Sequence, residues 1–177
     1  MNSLTETQPV GFGFPAGIPP NEEHVPRPMT TRALRQSFSS DSATDWERYV
    51  AESETAARKA VELDPDFALA WVGVADSHAL YEGYSETNYG AFFDIRDEAI
   101  SRALAIDPKL GEAYASLGSL QNDKGDAAAA EASLKAAIRY SPNYATSYHW
   151  LSNMLRDNLF RLEEALAYGQ RAAELDP

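Results

Sequence analysis

The chain has 177 residues, of which 44% are apolar, so it is long enough for one domain with a packed core. It has no cysteine, which excludes disulfides and thiolate zinc sites. Its net charge of −12 falls entirely in residues 41–177; this acidity argues against nucleic acid and anionic membrane as direct ligands, and solubility alone is the competing explanation of it.

Residues 1–43 are predicted to form a flexible tail. The stretch 11–20 interrupts both helical and strand periodicity with glycine and proline. The first residues lack the basic and apolar pattern of a secretory signal, and no apolar run approaches the roughly 18 residues of a membrane span. These features predict a cytoplasmic protein without a membrane segment.

The sequence Ala-x-x-Φ-Asp/Ser-Pro, where Φ is apolar or Tyr, occurs four times after the tail. Its prolines are 43, 34 and 35 residues apart, and a period near 34 with a helix-ending proline is typical of a helix-turn-helix solenoid. The proline removes a backbone donor and disfavours helical geometry in the residue before it. The copies end at Pro65, Pro108, Pro142 and Pro177.

Apolar residues at three- and four-residue spacing between these turns predict seven helices. We therefore expect an all-α fold, a right-handed α-solenoid of antiparallel helix pairs that occupies residues 44–177. The expected repeats are about 45–67, 68–110, 111–144 and 145–177. The predicted helices are 45–63, 67–81, 92–106, 110–124, 126–140, 144–158 and 161–175.

Residues 111–144 resemble the tetratricopeptide repeat family. Small residues at its signature positions would let two helices cross closely, while large apolar residues fill the space between them. Trp71 and Tyr148 occupy the position of Tyr114 in the neighbouring repeats. The matching residues are Tyr114, Leu117, Gly118, Ala130, Leu134, Ala137 and Pro142.

The resemblance implies a non-enzymatic scaffold that binds a peptide or partner protein in a concave groove. A finer likeness concerns the longer repeat 68–110 and the segment 143–150, which look like the repeat regions attached to bacterial winged-helix transcription activators and nucleotide cyclases. The alternative function is therefore that of the regulatory or sensory portion of a larger bacterial signalling protein.

In this family the first helix of each pair lines the groove. The set carried over to this chain holds four acids and one base, so the expected partner is a neutral or basic segment. A lysine-and-asparagine clamp for carboxylates is missing, and a plain solvated face is the competing interpretation. The predicted groove residues are Leu69, Val72, Asp76, Glu112, Ser119, Asn122, Asp123, His149, Asn153, Arg156 and Asp157.

The nine-residue excess of the longer repeat holds three tyrosines, Tyr81, Tyr84 and Tyr89. Tyrosine buries a large area while its hydroxyl stays in contact with water, so this segment is either a recognition surface or the packing of a lengthened helix pair.

The sequence gives little support for catalysis. The histidines His24, His78 and His149 lack metal-ligand spacing with acids, and neither a catalytic triad nor a phosphate-binding loop is present. We predict no cofactor and no metal.

The last predicted helix holds more apolar residues than one neighbouring helix covers. Solenoid ends need a cap, and an uncovered apolar strip favours association. We therefore expect self-association through this helix. The strip consists of Leu162, Leu166, Tyr168, Ala172 and Leu175.

Overall fold

The computed structural model describes the backbone of residues 43–84 and 90–176 and the side chains of residues 48–80 and 90–176. Residues 1–42 of the predicted tail lie outside the described residues. Within the described ranges the chain forms helices and turns and no strand. The helices are α1 (Ala43–Leu63), α2 (Ala68–Tyr84), α3 (Phe93–Ile106), α4 (Gly111–Asp123), α5 (Ala127–Tyr140), α6 (Ala145–Asp157) and α7 (Leu162–Leu175).

The all-α prediction is confirmed, and the chain folds as a right-handed α-solenoid of antiparallel helix pairs. Each pair consists of a first and a second helix: α2 with α3, α4 with α5, and α6 with α7. Helix α1 packs against α2. Of the helices described, none is both long enough and apolar enough to cross a membrane.

At the end of each second helix, the carbonyl oxygen of the first alanine of the sequence motif accepts a hydrogen bond from the amide of the Asp or Ser that precedes the proline. The amide of Asp107 donates to the carbonyl of Ala103 at 2.9 Å, and Asp107 itself is extended, with φ −125° and ψ 97°. Pro108 then prevents the helix from continuing. The helices therefore end next to the prolines, as the sequence predicted. Equivalent bonds join Asp64 to Ala60, Ser141 to Ala137 and Asp176 to Ala172.

The aromatic residue near the start of each first helix bonds back to the turn that precedes it. In each repeat the acceptor is the carbonyl oxygen of the proline six residues earlier, which has no helical partner of its own. The bond fixes the direction in which the chain enters the first helix. It joins Trp71 Nε1 to Pro65 and the Tyr148 hydroxyl to Pro142 at 2.9 Å, and the Tyr114 hydroxyl to Pro108 at 3.3 Å.

Small residues lie where the two helices of a pair cross. A Cβ atom added to Gly118 would be 2.6 Å from Cγ of Leu134 and 3.1 Å from the carbonyl oxygen of Ala130. Ala130 is fully buried and Leu134 is 1% exposed. Close helix approach at these positions was expected from the repeat pattern, and the structure has it.

The first helices lie side by side, because α4 contacts both α2 and α6 as well as its own partner α5. The second helices connect the repeats: α3 lies against α4, and α5 lies against α6. Side chains from α4 and α6 therefore meet on one face of the solenoid, the face on which the groove was predicted.

Candidate functional site

A pocket of about 200 Å³ opens between α4 and α6, at the carboxyl-terminal ends of both helices. Its polar lining comes from one helix on each side, whereas Leu134 and Met154 form part of the buried core below. The pocket therefore joins two adjacent repeats. It is lined by Gly118, Ser119, Asn122, Leu134, Trp150, Asn153, Met154, Asp157 and Asn158.

Two asparagine side chains bridge the repeats at this pocket. Asn158 Nδ2 donates to Asn122 Oδ1 at 2.6 Å. An asparagine amide offers two donors and a carbonyl with two lone pairs, so this single bond leaves the Asn122 NH₂ group and the Asn158 carbonyl available to a ligand. The pair can thus donate and accept at once, as a peptide backbone requires.

Asn153 and Asp157 complete the polar side of the pocket on α6. The amide of Asn153 lies 2.9 Å from His149 Nε2, and this contact holds its side chain along the helix. Asp157 accepts from the neighbouring Arg156 at 2.6 Å and 2.8 Å. The bond to Arg156 lowers the pKa of the Asp157 carboxyl. Asp157 therefore brings an ionised but locally compensated charge.

The negative charge of Asp123, at the end of α4, is paired with the positive charge of a buried arginine. The guanidinium of Arg96 on α3 donates to Asp123 Oδ2 at 2.7 Å and to Ser119 Oγ at 3.2 Å. The Arg96 side chain is 1% exposed, whereas that of Asp123 is 26% exposed. The arginine thus extends from α3 to the end of α4 and neutralises an acid of the predicted groove.

Two predicted groove residues, Val72 and Asp76, lie in the interior, so the prediction that they line an accessible surface is wrong. They are 3% and 2% exposed, because α2 is covered by α1, α3 and α4. Asp76 Oδ1 accepts from Ser116 Oγ at 2.5 Å. Burial raises the pKa of Asp76 to about 7, although the Ser116 hydrogen bond and the charge of Arg96 lower it.

The remaining predicted residues fall outside the pocket. Leu69 is half-buried, and Glu112 accepts a hydrogen bond from Ser141 at 3.1 Å. The side chains of Tyr81, Tyr84 and Tyr89 lie outside the described residues. Sequence analysis therefore placed four residues of the pocket: Ser119, Asn122, Asn153 and Asp157.

Of the other five lining residues, Gly118 and Leu134 were predicted only as residues of the repeat signature, and sequence analysis missed Trp150, Met154 and Asn158. The family positions select one stripe of each first helix, and these residues lie beside that stripe or after the helix end. One signal was present: an asparagine occurs near the carboxyl end of both α4 and α6, at positions 122 and 158. In the described ranges no group of three or more His, Asp or Glu residues could hold a metal ion.

Three large apolar residues at the start of α7 and in the turn before it are exposed. Leu162 and Leu166 are 62% and 63% exposed, and Phe160 in the preceding turn is 80% exposed. Tyr168, by contrast, packs against the core cluster of α5 and α6, and its ring centroid lies 6.3 Å from that of Tyr148. The predicted strip is therefore uncovered at Leu162 and Leu166, whereas Tyr168, Ala172 and Leu175 are half-buried.

Comparison with known proteins agrees with this architecture. Residues 111–144 match the family model described as tetratricopeptide repeat. The fold resembles TTC0263, a thermophilic TPR protein of Thermus thermophilus, with 18% identity and a TM-score of 0.63 over 82% of this chain and 79% of that protein. It also resembles MamA, with 17% identity and a TM-score of 0.52 over 82% of this chain and 85% of that protein. No curated protein sequence matches the chain.

The chain thus contains a tetratricopeptide repeat and has the fold of TPR proteins. Proteins of this class are in general scaffolds for protein interaction rather than enzymes. The resemblance stated from the sequence is confirmed at the level of the repeat and the fold.

Proposed function

We propose that this chain is a scaffold that binds an extended peptide segment of a partner protein across α4 and α6. The observation that carries the proposal is the Asn122–Asn158 pair, which presents amide donors and acceptors at the junction of two repeats. A peptide backbone has one donor and one acceptor per residue, and both need partners when they leave water. The pair supplies both.

The size of the pocket supports one peptide side chain as its occupant. A volume of about 200 Å³ lies below the roughly 300–1,000 Å³ of sites for drug-sized molecules. The half-buried Trp150 gives the pocket an apolar wall above the buried Leu134 and Met154, and this favours an aliphatic or aromatic side chain. The asparagines would then hold the backbone on either side of this anchor.

The charge balance favours an uncharged segment at this site. The sequence alone led to a neutral or basic partner, because four acids were assigned to the groove. Asp76 is buried, Asp123 is bonded to Arg96, and Asp157 is bonded to Arg156. Few acidic groups remain to attract a base, so binding at the pocket should depend weakly on salt.

The test is selection of linear peptides from a displayed random library on the full chain, followed by calorimetric titration. We expect peptides with an apolar anchor and little charge. Asn158→Ala should weaken their binding about fivefold to tenfold, the effect of losing one or two hydrogen bonds. Asn143→Ala is the matched control, because Asn143 is an exposed asparagine in the α5–α6 turn.

Selected peptides that are rich in lysine and arginine, bind in a strongly salt-dependent way and tolerate Asn158→Ala would contradict the proposal. That result would place the binding surface among the exposed acids instead.

A further inference from the structure

Phe160 occupies a backbone conformation that suits glycine. Its φ is +53°, and it is the non-glycine residue with positive φ in the described ranges. The preceding repeat has Gly125 at the corresponding place, with φ +84°. Each residue stands two positions before a second helix, α5 or α7. A residue with a Cβ atom is destabilised in this conformation, whereas glycine is not.

The phenylalanine ring gives little packing in return for this strain. Its exposed fraction of 80% is the highest among the exposed large apolar residues of the described part. Glycine would relieve the strain and remove an apolar ring from water. Strain held at an exposed aromatic residue points to a contact made with another molecule.

Leu162 and Leu166 extend this apolar surface along α7. They are four residues apart, so they share one face of the helix, and both are more than 60% exposed. The corresponding residues of α5, counted from the start of each helix, are Ala127 and Glu131. All three apolar residues thus replace small or charged ones of the preceding repeat. We name Phe160, Leu162 and Leu166 the end surface.

The charges beside the end surface are acidic. Both arginines of the segment are held within the molecule: Arg161 by Glu131 and Glu164, and Arg171 by Glu174. Glu163 is exposed next to Leu162. A second copy of this chain would bring the same acidic helix and a net charge of −12. A basic partner gains from this arrangement, whereas a copy is repelled.

We infer that the end surface docks an amphipathic, basic helical segment of another protein, with Phe160 as the anchor. Apolar residues of the partner at i and i+4 spacing would cover Leu162 and Leu166, and a lysine or arginine on its flank would face Glu163. This site is separate from the pocket between α4 and α6. The two sites would select segments of different charge.

The test uses the full chain and a designed helical peptide of leucine and lysine at amphipathic spacing. A peptide of the same composition with scrambled spacing serves as the probe control. We expect saturable, salt-sensitive binding that Phe160→Gly weakens at least about tenfold, as removal of an interface anchor does. Phe160→Gly should at the same time leave the melting temperature unchanged or raise it, because it relieves the strained φ.

Leu63→Ser is the control variant, since Leu63 is 57% exposed on α1. It should leave peptide binding unchanged. The inference is overturned if the parent chain fails to bind the amphipathic peptide, if the scrambled peptide binds equally well, or if Phe160→Gly and Leu63→Ser act alike. Sedimentation that shows a dimer of the parent lost in Phe160→Gly would overturn it in favour of a second copy as the occupant.

Discussion

Arg96 Nη1 on α3 donates to Asp123 Oδ2 on α4 at 2.7 Å, while the arginine side chain is 1% exposed. The ion pair joins the second helix of one repeat to the first helix of the next. It also sets the charge of the face that α4 presents, because Asp123 is an ionisable residue at the end of that helix. Stability and surface charge are therefore coupled through one buried guanidinium.

Replacement of Arg96 by alanine should destabilise the fold by about 2–4 kcal/mol, because it removes the buried guanidinium from its ion pair with Asp123 and leaves a cavity in the interior. Chemical denaturation monitored by circular dichroism measures this change. Lys124→Ala is the control, since the Lys124–Asp97 pair is also 2.7 Å long but exposed. Its loss should cost less than about 1 kcal/mol. Equal losses in the two variants would show that Arg96 is not buried.

Asp76 should make stability depend on pH. Its folded-state pKa of about 7 lies above the ordinary value of 3.8. The folded chain then binds more protons than the unfolded chain between these pH values, so the stability provided by the neutral carboxyl is lost as pH rises from about 4 to 7. At about 1.4 kcal/mol per pKa unit, the loss is on the order of 4 kcal/mol.

Asp76→Asn should remove this dependence, because the amide keeps an acceptor for Ser116 without a charge. We expect the variant to be more stable than the parent at pH 8 and to differ from it least near pH 4. Denaturation at a series of pH values gives both curves. Parallel curves for parent and variant would mean that Asp76 titrates normally.

Gly118 should not tolerate a side chain. The Cβ atom of Gly118→Ala would lie 3.1 Å from the Ala130 carbonyl oxygen and closer still to Leu134, so the helices α4 and α5 would have to move apart. We expect a loss of about 1–3 kcal/mol, as for other overpacked positions. Gly169→Ala would meet one side chain and no backbone atom, the Ser152 hydroxyl at 3.1 Å, which is bound to the Ala165 carbonyl oxygen at 2.6 Å. This control should therefore lose less stability than Gly118→Ala, since only a small shift of Ser152 is needed and alanine favours the helix.

The core of the middle repeat should respond to truncation at Leu134. This side chain is 1% exposed and packs among residues of α5, α6 and α7. Leu134→Ala should cost about 2–5 kcal/mol through lost burial and the cavity left behind. Leu63→Ala, at a site that is 57% exposed, should shift the thermal midpoint only slightly. A melting curve for Leu134→Ala that matches the parent would contradict the helix register.

The features that sequence analysis predicted correctly depend on residues that are close together in the sequence or that recur in the repeat pattern. The helix ends depend on a proline and the residue before it, both of which are visible in the sequence. The crossing at Gly118 depends on a small residue facing a large one, which the repeat pattern also contains. Four of the residues that line the pocket were among the predicted groove residues, because they follow the periodicity of single helices: Ser119, Asn122, Asn153 and Asp157.

Sequence analysis could not predict the properties that depend on contacts between distant parts of the chain. The hydrogen bond from Arg96 to Asp123 joins residues that are 27 positions apart, and it depends on how α3 packs against α4. The burial of Asp76 depends on the three helices that cover α2. The backbone conformation of Phe160 could not be predicted, because a positive φ in a residue other than glycine leaves no mark in composition or periodicity. Tertiary packing sets each of these properties.

The bonds from Trp71, Tyr114 and Tyr148 to the proline carbonyls six residues earlier have an evolutionary consequence. Each bond joins the aromatic donor at the start of one repeat to the proline that ends the preceding repeat, so a duplicated unit brings a donor for the unit before it and an acceptor for the unit after it. Chain length can then change by whole units without new contacts elsewhere. The interface between one unit and the next is what must stay complementary, and it is there that sequence drift among copies can create new surfaces.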